Sequence, residues 1–581
     1  MRRAAHPRTS GSERRMTLMA RLRRLAESPT MPWLAAALAI VLSWPSLRSG
    51  FATEDFMFRV ATQKPFDLAH VNLFDAQDVR GGVRAAQTVG SLPWIAPPDF
   101  HISFWRPLTS LTHHFDYRLF RDSPWVAHVH SLLWYVIAIF AVGAMLRRWV
   151  TPRWAASLAT LWWAIDDAHG HAVGWISNRH VILGTAFAAG SLWLMARAEA
   201  SRRRRDVILS AAAFGVALLC SESALGAWGF LLAQLLLWQE TRAGLRALLP
   251  HAVITAAWLA TFIGLGHGAR GSGLYIDPRV EPLAYLLALP ERVGVLLLGT
   301  LGMPSAETWH GASTAAVALL ALGGFAALAL VATCSGGGRR AVVLGVGLVL
   351  SLLPAAATFP SDRLSFLPGI GALGLAAWVV YQASRHPSAL GRIVAGFSLV
   401  IHTVIAPLTF PSKSLTMAAL HRDVIRASDS AYAATPAEAR GLVVLDSPNF
   451  YFCKLLREVR WARGLPAAPI ACLSGSTDVR FERVDPNALR VTAAHGFLTH
   501  PFNRLYRDAR HPLRAGQKLF TGALGVEIER VDAQGEPIQV VFRFLVPLED
   551  PRFAWVAFDH GVYRRVEPPA VGHSMTSVTA R

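Results

Sequence analysis

MPWLAAALAIVLSWPSLRSGFATED, residues 31–55, opens on an apolar run, Met31–Leu47, and closes on an acidic pair, Glu54-Asp55. The run approaches the roughly 20 residues a helix needs to cross the hydrocarbon of a bilayer. The chain then stays polar until about residue 123. The pair therefore stands at the membrane–water boundary on the far side, where a carboxylate stays ionised yet close to a lipid headgroup. Arg2, Arg3, Arg14, Arg15, Arg21, Arg23 and Arg24 precede the run, which ends at Trp44-Pro45 without a small-x-small cleavage site. It reads as an uncleaved first span with its N-terminus in the cytoplasm.

Outward from this stretch, apolar runs recur to about residue 410 in a chain of 581 residues that is 53% hydrophobic. Only helices can carry such runs through lipid. Spans are predicted at 31–48, 124–146, 153–166, 180–196, 207–220, 224–239, 247–266, 312–333, 341–358, 366–382 and 391–409. Arg147-Arg148-Arg153, Arg197 with Arg202 to Arg205, Arg242 with Arg246, Arg339-Arg340 and Arg385 with Arg392 occupy every second loop. Those loops are cytoplasmic by the positive-inside rule. The stretch 283–303 carries Pro290-Glu291-Arg292 at its centre, a costly pair at mid-membrane, and is predicted to lie in the outer interface. The result is a polytopic α-helical membrane protein of about 11 spans. A basic cytoplasmic segment covers 1–30, a transmembrane domain 31–410, and a soluble extracytoplasmic domain 411–581. In the last, Gly441–Asp446 reads as a strand and Tyr451–Arg463 as a helix. Gly525–Val531 with Ile538–Leu545 reads as a hairpin, so the domain is expected to be α/β or β-rich.

The net charge of +19, from 57 basic and 38 acidic residues, is spread through short loops. Nucleic-acid binding would gather it on one soluble face. Membrane lipids and phosphate-bearing substrates are the expected partners, and nucleic acid is not. The four cysteines, Cys220, Cys334, Cys453 and Cys472, form no zinc spacing. Cys453 and Cys472 share the exported region, where a bridge between them is an open alternative.

The loop 49–123 is the longest polar insertion between spans. Asp75–Val89 is predicted as a short helix. In Phe104–Phe120 the apolar positions 104, 108, 111, 115 and 119 make a helical stripe, so this segment is expected to lie amphipathically on the membrane. Asp166, Asp167, His169 and His171 are the candidates for a divalent metal, against a plain loop-packing role. Trp162, Trp163 and Trp175 read as interface anchors rather than sugar platforms.

Trp105–Trp134 (WRPLTSLTHHFDYRLFRDSPWVAHVHSLLW) resembles a signature of GT-C-type membrane glycosyltransferases. It is most similar to the transmembrane O-mannosyltransferases that carry tetratricopeptide repeats and to their bacterial relatives. Pro124 and His128 match, and Ser123 and Ser131 stand near expected asparagines. Val173–Phe187 (VGWISNRHVILGTAF) shares Trp175 and Arg179 with a second family segment, and Asp362–Gly369 (DRLSFLPG) resembles a third. Glu54-Asp55 falls where these enzymes place an acidic pair. The sequence departs at Ser221-Glu222-Ser223, which lacks the family's lysine. It departs again before Trp175, where Asp166-Asp167 replaces a proline, and in having no 34-residue repeat after residue 410.

The resemblance implies transfer of a monosaccharide, mannose among the candidates, from a polyprenyl-phosphate-linked donor to an acceptor outside the cytoplasm, with inversion, in a bacterial inner membrane. A general base must reach the acceptor hydroxyl, and Asp55 or Glu54 can serve. Cations must face the departing phosphate, for which Arg363 and Arg179 are the candidates. Arg106, His128 and Trp175 are expected to position the loop or substrate. No cofactor is required when the donor is a lipid monophosphate. The competing readings are a lipid or glycolipid flippase, which would call for inverted repeats and mid-membrane charges, and a non-catalytic scaffold.

Overall fold

The computed structural model describes residues 27–75, 82–121, 123–309, 313–333, 338–386, 388–522 and 524–577. Among these, eight helices are long and apolar enough to cross a membrane. They are Met31–Arg48, Pro124–Trp149, Ile176–Ser201, Thr241–Gly264, Pro282–Thr300, Thr314–Ala332, Gly338–Ala355 and Ala389–Ala433. Arg153–Ala164, Arg204–Cys220, Ala227–Ala233 and Pro368–Arg385 are shorter or less apolar helices of the same bundle. The polytopic helical reading holds. Ile176–Ser201 is the most enclosed of the eight, at 72% buried, and packs along Pro124–Trp149 and Arg204–Cys220. Alanines such as Ala155, Ala159, Ala188 and Ala189, all fully buried, let the helix backbones close on one another.

Three expectations change. Trp162 and Trp163 are fully buried, not interfacial: Trp162 Nε1 donates to Thr403 Oγ1 at 2.9 Å and Trp163 Nε1 to the Phe366 carbonyl at 2.9 Å. Hydropathy does not distinguish a lipid-facing tryptophan from a core one whose N–H has found a partner. Secondly, the stretch 283–303 forms the helix Pro282–Thr300, whose second half packs into the bundle through Val295, Leu296, Leu297 and Leu298. The buried Arg292 is satisfied by the carbonyls of Ala356 (3.0 Å) and Leu274 (3.3 Å), so its charge does not bar burial. Thirdly, the composition change at residue 410 falls inside one uninterrupted helical rod, 389–433, with a wider π-helical turn at Ile401–Ile405. The change marks where the rod meets polar surroundings, not where it ends. Of the helix expected at Asp75–Val89, the part Gly82–Val89 is helical, and residues 76–81 lie outside the described chain.

The helix Pro107–Leu119 is amphipathic with its polar face inward. Thr109, Ser110, His113, His114 and Asp116 are buried, while Leu111, Phe115 and Leu119 are exposed. An apolar stripe turned outward suits lipid.

The C-terminal region contains two sheets. Four strands run in the order Val562–Arg565, Phe553–Asp559, Gly441–Asp446, Ile470–Ser474, the last three mutually parallel. GLVVLD is almost continuously buried, as a central parallel strand requires. Six further strands form an antiparallel sheet in which Pro537–Phe544 pairs with Leu524–Val531, the expected hairpin. The long outer loop joins this domain's core. Leu92, Trp94, Ile95, Phe100 and Ile102 pack with Val443, Leu473, Phe481 and Phe542, and Trp94 Nε1 donates to the Leu473 carbonyl at 3.0 Å. Gly90, at φ +80°, sits where a Cβ would meet the Ile470 carbonyl oxygen at 2.2 Å, so only glycine lets the loop lie this close.

Asn449 caps the next helix, Phe450–Ala462, accepting from the Phe452 amide at 2.7 Å. Its Leu455, Val459 and Ala462 pack on Phe56 and Phe58 of the helix Glu54–Thr62. The soluble domain thus rests directly on the helix that begins with the acidic pair.

Candidate active site

Thr53 sets the geometry of the pair. It has φ 48° and ψ −118°, a backbone conformation that a β-branched residue rarely adopts, and the helix starts immediately after it. Asp55 then turns inward. It is 1% exposed, with Oδ2 accepting from the Ala52 amide at 2.9 Å and Oδ1 from the Ser177 amide at 2.8 Å. Glu54 faces the soluble domain. Its Oε1 accepts from the Tyr451 hydroxyl at 3.0 Å, and its Oε2 is buried with no hydrogen-bond partner among the described residues. Burial pushes the Tyr451 phenol well above its usual range, so it stays a donor. The two carboxylates therefore divide. Asp55 ties the acidic helix to the segment before Ile176–Ser201, and Glu54 keeps an oxygen free for chemistry.

The Asp55 bonds carry a prediction. Burial raises its carboxyl from 3.8 to about 8, with the neighbouring Glu54 charge adding and the two amides opposing. The folded chain thus holds this proton more tightly than the unfolded one. Its stabilising share is complete below pH 3.8 and declines as pH rises through about 8. Asp55→Ala strands two buried N–H groups, at about 1–3 kcal/mol each. Thermal unfolding of the detergent-solubilised protein should give a clearly lower Tm for Asp55→Ala, and a Tm that falls less between about pH 5 and pH 8 than in the wild type. Parallel Tm-against-pH curves would refute the assignment.

Arg363 lies in the short helical turn Asp362–Leu364 ahead of Pro368–Arg385. The turn is pinned around it. Asp362 accepts from Lys413 Nζ at 2.5 Å and from the Ala306 amide at 2.8 Å, while its own amide donates to Glu307 Oε1 at 3.1 Å. The half-buried Arg363 guanidinium stands over the rings of Trp175 (5.7 Å) and Phe359 (5.2 Å), and among the described residues it has no hydrogen-bond acceptor or ion-pair partner. A planar cation held by two rings, with its N–H groups uncommitted, is a ready receptor for phosphate.

Two paths join the acidic pair to this cation. Asp55 holds Ser177, two residues from the Trp175 beneath Arg363. From Glu54 the path runs through Tyr451 to Phe502 (rings 6.0 Å apart, stacked), Phe502 to Phe359 (6.2 Å), and Phe359 to Arg363. Tyr451, Phe359 and Trp175 are half-buried and Phe502 is 41% exposed, so a line of rings runs between the two ends of the site.

The other expected residues hold this frame. Arg106 is buried between the rings of Phe74 (4.6 Å) and Phe104 (4.5 Å), and forms a bidentate pair with Glu222, its Nε lying 2.8 Å from Oε2. The cation missing beside Glu222 in sequence is thus supplied from 116 residues away. Arg179 corrects the expectation of a phosphate ligand. It is fully buried, its N–H groups go to Ser131 Oγ, Thr112 Oγ1 and the Ala127 carbonyl, and its guanidinium forms an ion pair with Asp116. It braces the interfacial helix against the bundle. His128 Nε2 meets the Gly50 carbonyl at 3.1 Å, fixing the turn that leads to the acidic pair.

The metal candidates are not brought together. Asp167 pairs with Lys413 at 2.7 Å, Asp166 accepts from the Ala168 amide, and His169 stacks on Phe366 at 3.8 Å while meeting the Tyr135 hydroxyl at 3.0 Å. Among the described residues no three His, Cys, Asp or Glu side chains are grouped to hold a metal ion. Cys453 and Cys472 are both free thiols.

Sequence reading missed Tyr451, Phe359, Phe502 and Lys413. Only the lysine left a signal: it is one of four in the chain, set in an otherwise apolar stretch.

Comparison with known proteins adds a family. Residues 106–265 match the family model described as dolichyl-phosphate-mannose-protein mannosyltransferase. That stretch contains nearly all of Trp105–Trp134 and the whole of Val173–Phe187, and the likeness to membrane glycosyltransferases read there is borne out. No curated protein matches the chain. Among solved structures, an Archaeoglobus fulgidus oligosaccharyltransferase tethered to an acceptor peptide is 14% identical (TM-score 0.38), over 74% of this chain and 63% of that one. ArnT from Cupriavidus metallidurans bound to undecaprenyl phosphate is 15% identical (TM-score 0.37), over 76% and 90%. The arabinofuranosyltransferase AftD from Mycobacteria is 14% identical (TM-score 0.33), over 89% and 41%. The chain thus spans less than two thirds of the oligosaccharyltransferase, and overlays this distant carry no argument about activity.

Proposed function

We propose, taking the mannosyltransferase-family match over residues 106–265 as premise, that this protein transfers a monosaccharide from a polyprenyl-phosphate donor to an acceptor hydroxyl on the outer face of a bacterial inner membrane. The observation that carries the reading is a pair of groups left without a hydrogen-bond partner among the described residues and linked by the rings of Tyr451, Phe502 and Phe359: the Oε2 of Glu54 and the guanidinium of Arg363. The reaction needs one of each. Glu54 takes the proton of the acceptor hydroxyl as its oxygen attacks the anomeric carbon. The bond from that carbon to the phosphate oxygen breaks on the opposite face, its electron pair leaves on the phosphate, and Arg363 receives the added charge. One displacement inverts the anomeric centre. The prenyl chain stays in lipid, beside the outward apolar stripe of Pro107–Leu119.

Reconstituted protein given radiolabelled prenyl-phosphate sugars, mannose among them, tests this. Label should leave the lipid for an acceptor only when the protein is present. A panel in which no prenyl-phosphate sugar is consumed would overturn the reading.

A further inference from the structure

The helices Arg204–Cys220 and Thr241–Gly264 enclose a groove far from the site described above. The Cys220 carbonyl, at the end of the first helix, accepts from Thr109 Oγ1 of Pro107–Leu119 at 2.9 Å. That helix is 17 residues long, about 25 Å, so its first turn stands at the other end of the bundle. The two helices run parallel. Arg202, just before the first, lies over the ring of Trp238, just before the second, at 4.9 Å. Further along, Ser210 Oγ meets His251 Nε2 at 2.9 Å, and beyond that Gly215 faces Ile254. Five residues back from Ser210 and from His251 stand Arg205 and Arg246, at the same height by this register. Side chains at i+3, i+4 and i+7 then continue the face of each arginine. After Arg205 they include Ile208 and Ala212, and after Arg246 they are Leu249, Pro250 and Val253. These five, with Ala211 and Ile254, line a groove of about 450 Å³. Ala211 is buried as its floor, and Ile208 (63% exposed), Leu249 (63%) and Val253 (60%) stand out as its walls.

The groove is apolar along its length and basic at its mouth. Arg204, Arg205, Arg242 and Arg246 are exposed, and among the described residues their side chains have no hydrogen-bond or ion-pair partner. Of the nearby carboxylates, Asp206 is held by Arg197 Nη2 at 3.6 Å and by Ser201 Oγ at 3.0 Å, which leaves Glu199 and Glu240 against the four arginines. Thr241–Gly264 is apolar enough to cross a membrane, so the groove opens on acyl chains and its mouth on headgroups. Charge and shape together select the occupant. A free anion would use the arginines and leave the groove unfilled. A second copy related by a two-fold axis would set arginine against arginine. A zwitterionic lipid would bring its own cation against Arg204 and Arg242. An anionic phosphodiester lipid uses both features, its oxygens taking the guanidinium N–H groups and one chain lying between the helices. We infer that this groove binds one anionic phospholipid, with its phosphate on Arg205 and Arg246 and an acyl chain along Ala211 and Val253.

Native mass spectrometry of the full chain in detergent, titrated with phosphatidylglycerol and with phosphatidylcholine of identical acyl chains, tests this. One phosphatidylglycerol should be retained about ten- to thirty-fold more tightly than phosphatidylcholine, the preference that two arginines near a membrane surface supply. Arg205→Gln combined with Arg246→Gln should remove that preference, and lysine at both positions should keep most of it. Ala212→Phe fills the groove from an exposed position and should weaken phosphatidylglycerol by a similar factor with every arginine in place. Arg392→Ala, at an exposed arginine in another basic loop, should leave binding unchanged. A preference that survives the double glutamine variant would overturn the site, and so would binding untouched by Ala212→Phe. Polyprenyl phosphate retained in place of phosphatidylglycerol, or a dimer that Ala212→Phe dissociates, would give the groove to another occupant and overturn the phospholipid assignment.

Discussion

Glu54→Gln should slow sugar transfer by about 10²–10⁴-fold, the range that loss of a positioned general base produces. Glutamine retains the volume of the side chain and an oxygen to accept from Tyr451, so the contact at 3.0 Å survives and the fold with it. What it loses is the basic lone pair at the unpartnered Oε2. That lone pair acts on a proton in flight, not on bound substrate, so kcat should fall with little change in KM for the donor. Asp55→Ala should behave differently, lowering Tm and turnover together, because Asp55 accepts two backbone amides and holds Ser177 in place. Full turnover by Glu54→Gln, beside an inactive but folded Asp55→Asn, would move the base to Asp55.

Arg363→Ala should cost about 10²–10³-fold in kcat, as removal of a preorganised donor to developing charge does elsewhere. The donor carries one negative charge on its phosphate, and a second develops as the sugar leaves. If Arg363 receives that charge as proposed, its removal should weaken affinity for the product lipid phosphate by a larger factor than affinity for the donor. Lysine should restore part of the rate. It returns a charge, but not the planar fork that lies on Trp175 and Phe359. Equal losses for donor and product, or an Arg363→Ala enzyme at wild-type rate, would leave the guanidinium a structural prop.

The spans were legible because an apolar run of about 20 residues has few other uses. The central strand GLVVLD was legible for a related reason, being apolar along its whole length. The acidic pair stood out by its position after the first span. What sequence could not show is which face of each element is enclosed. Trp162 and Trp163 have the composition of interface anchors and the environment of core. Arg179 reads as an exposed cation and is saturated by partners from two helices. Arg106 with Glu222, and Tyr451 with Glu54, are pairs separated by 116 and 397 residues, beyond any local pattern. The border near residue 410 misled because hydropathy records the surroundings of a helix and not its continuity.

That continuity has a mechanical meaning. Residues 389–433 form a strut apolar enough over part of its length to cross a membrane, packed at its far end on the strand Gly441–Asp446 through Ala427 and Ala431, and clamped where Gly170 and Gly174 let Phe410 and Ser414 come to backbone contact. We hypothesise that such a strut converts bilayer thickness into the position of the C-terminal sheet over the bundle. Turnover in phosphatidylcholine vesicles of increasing acyl length should then pass through a single optimum, and a flat profile would show that the two ends move independently.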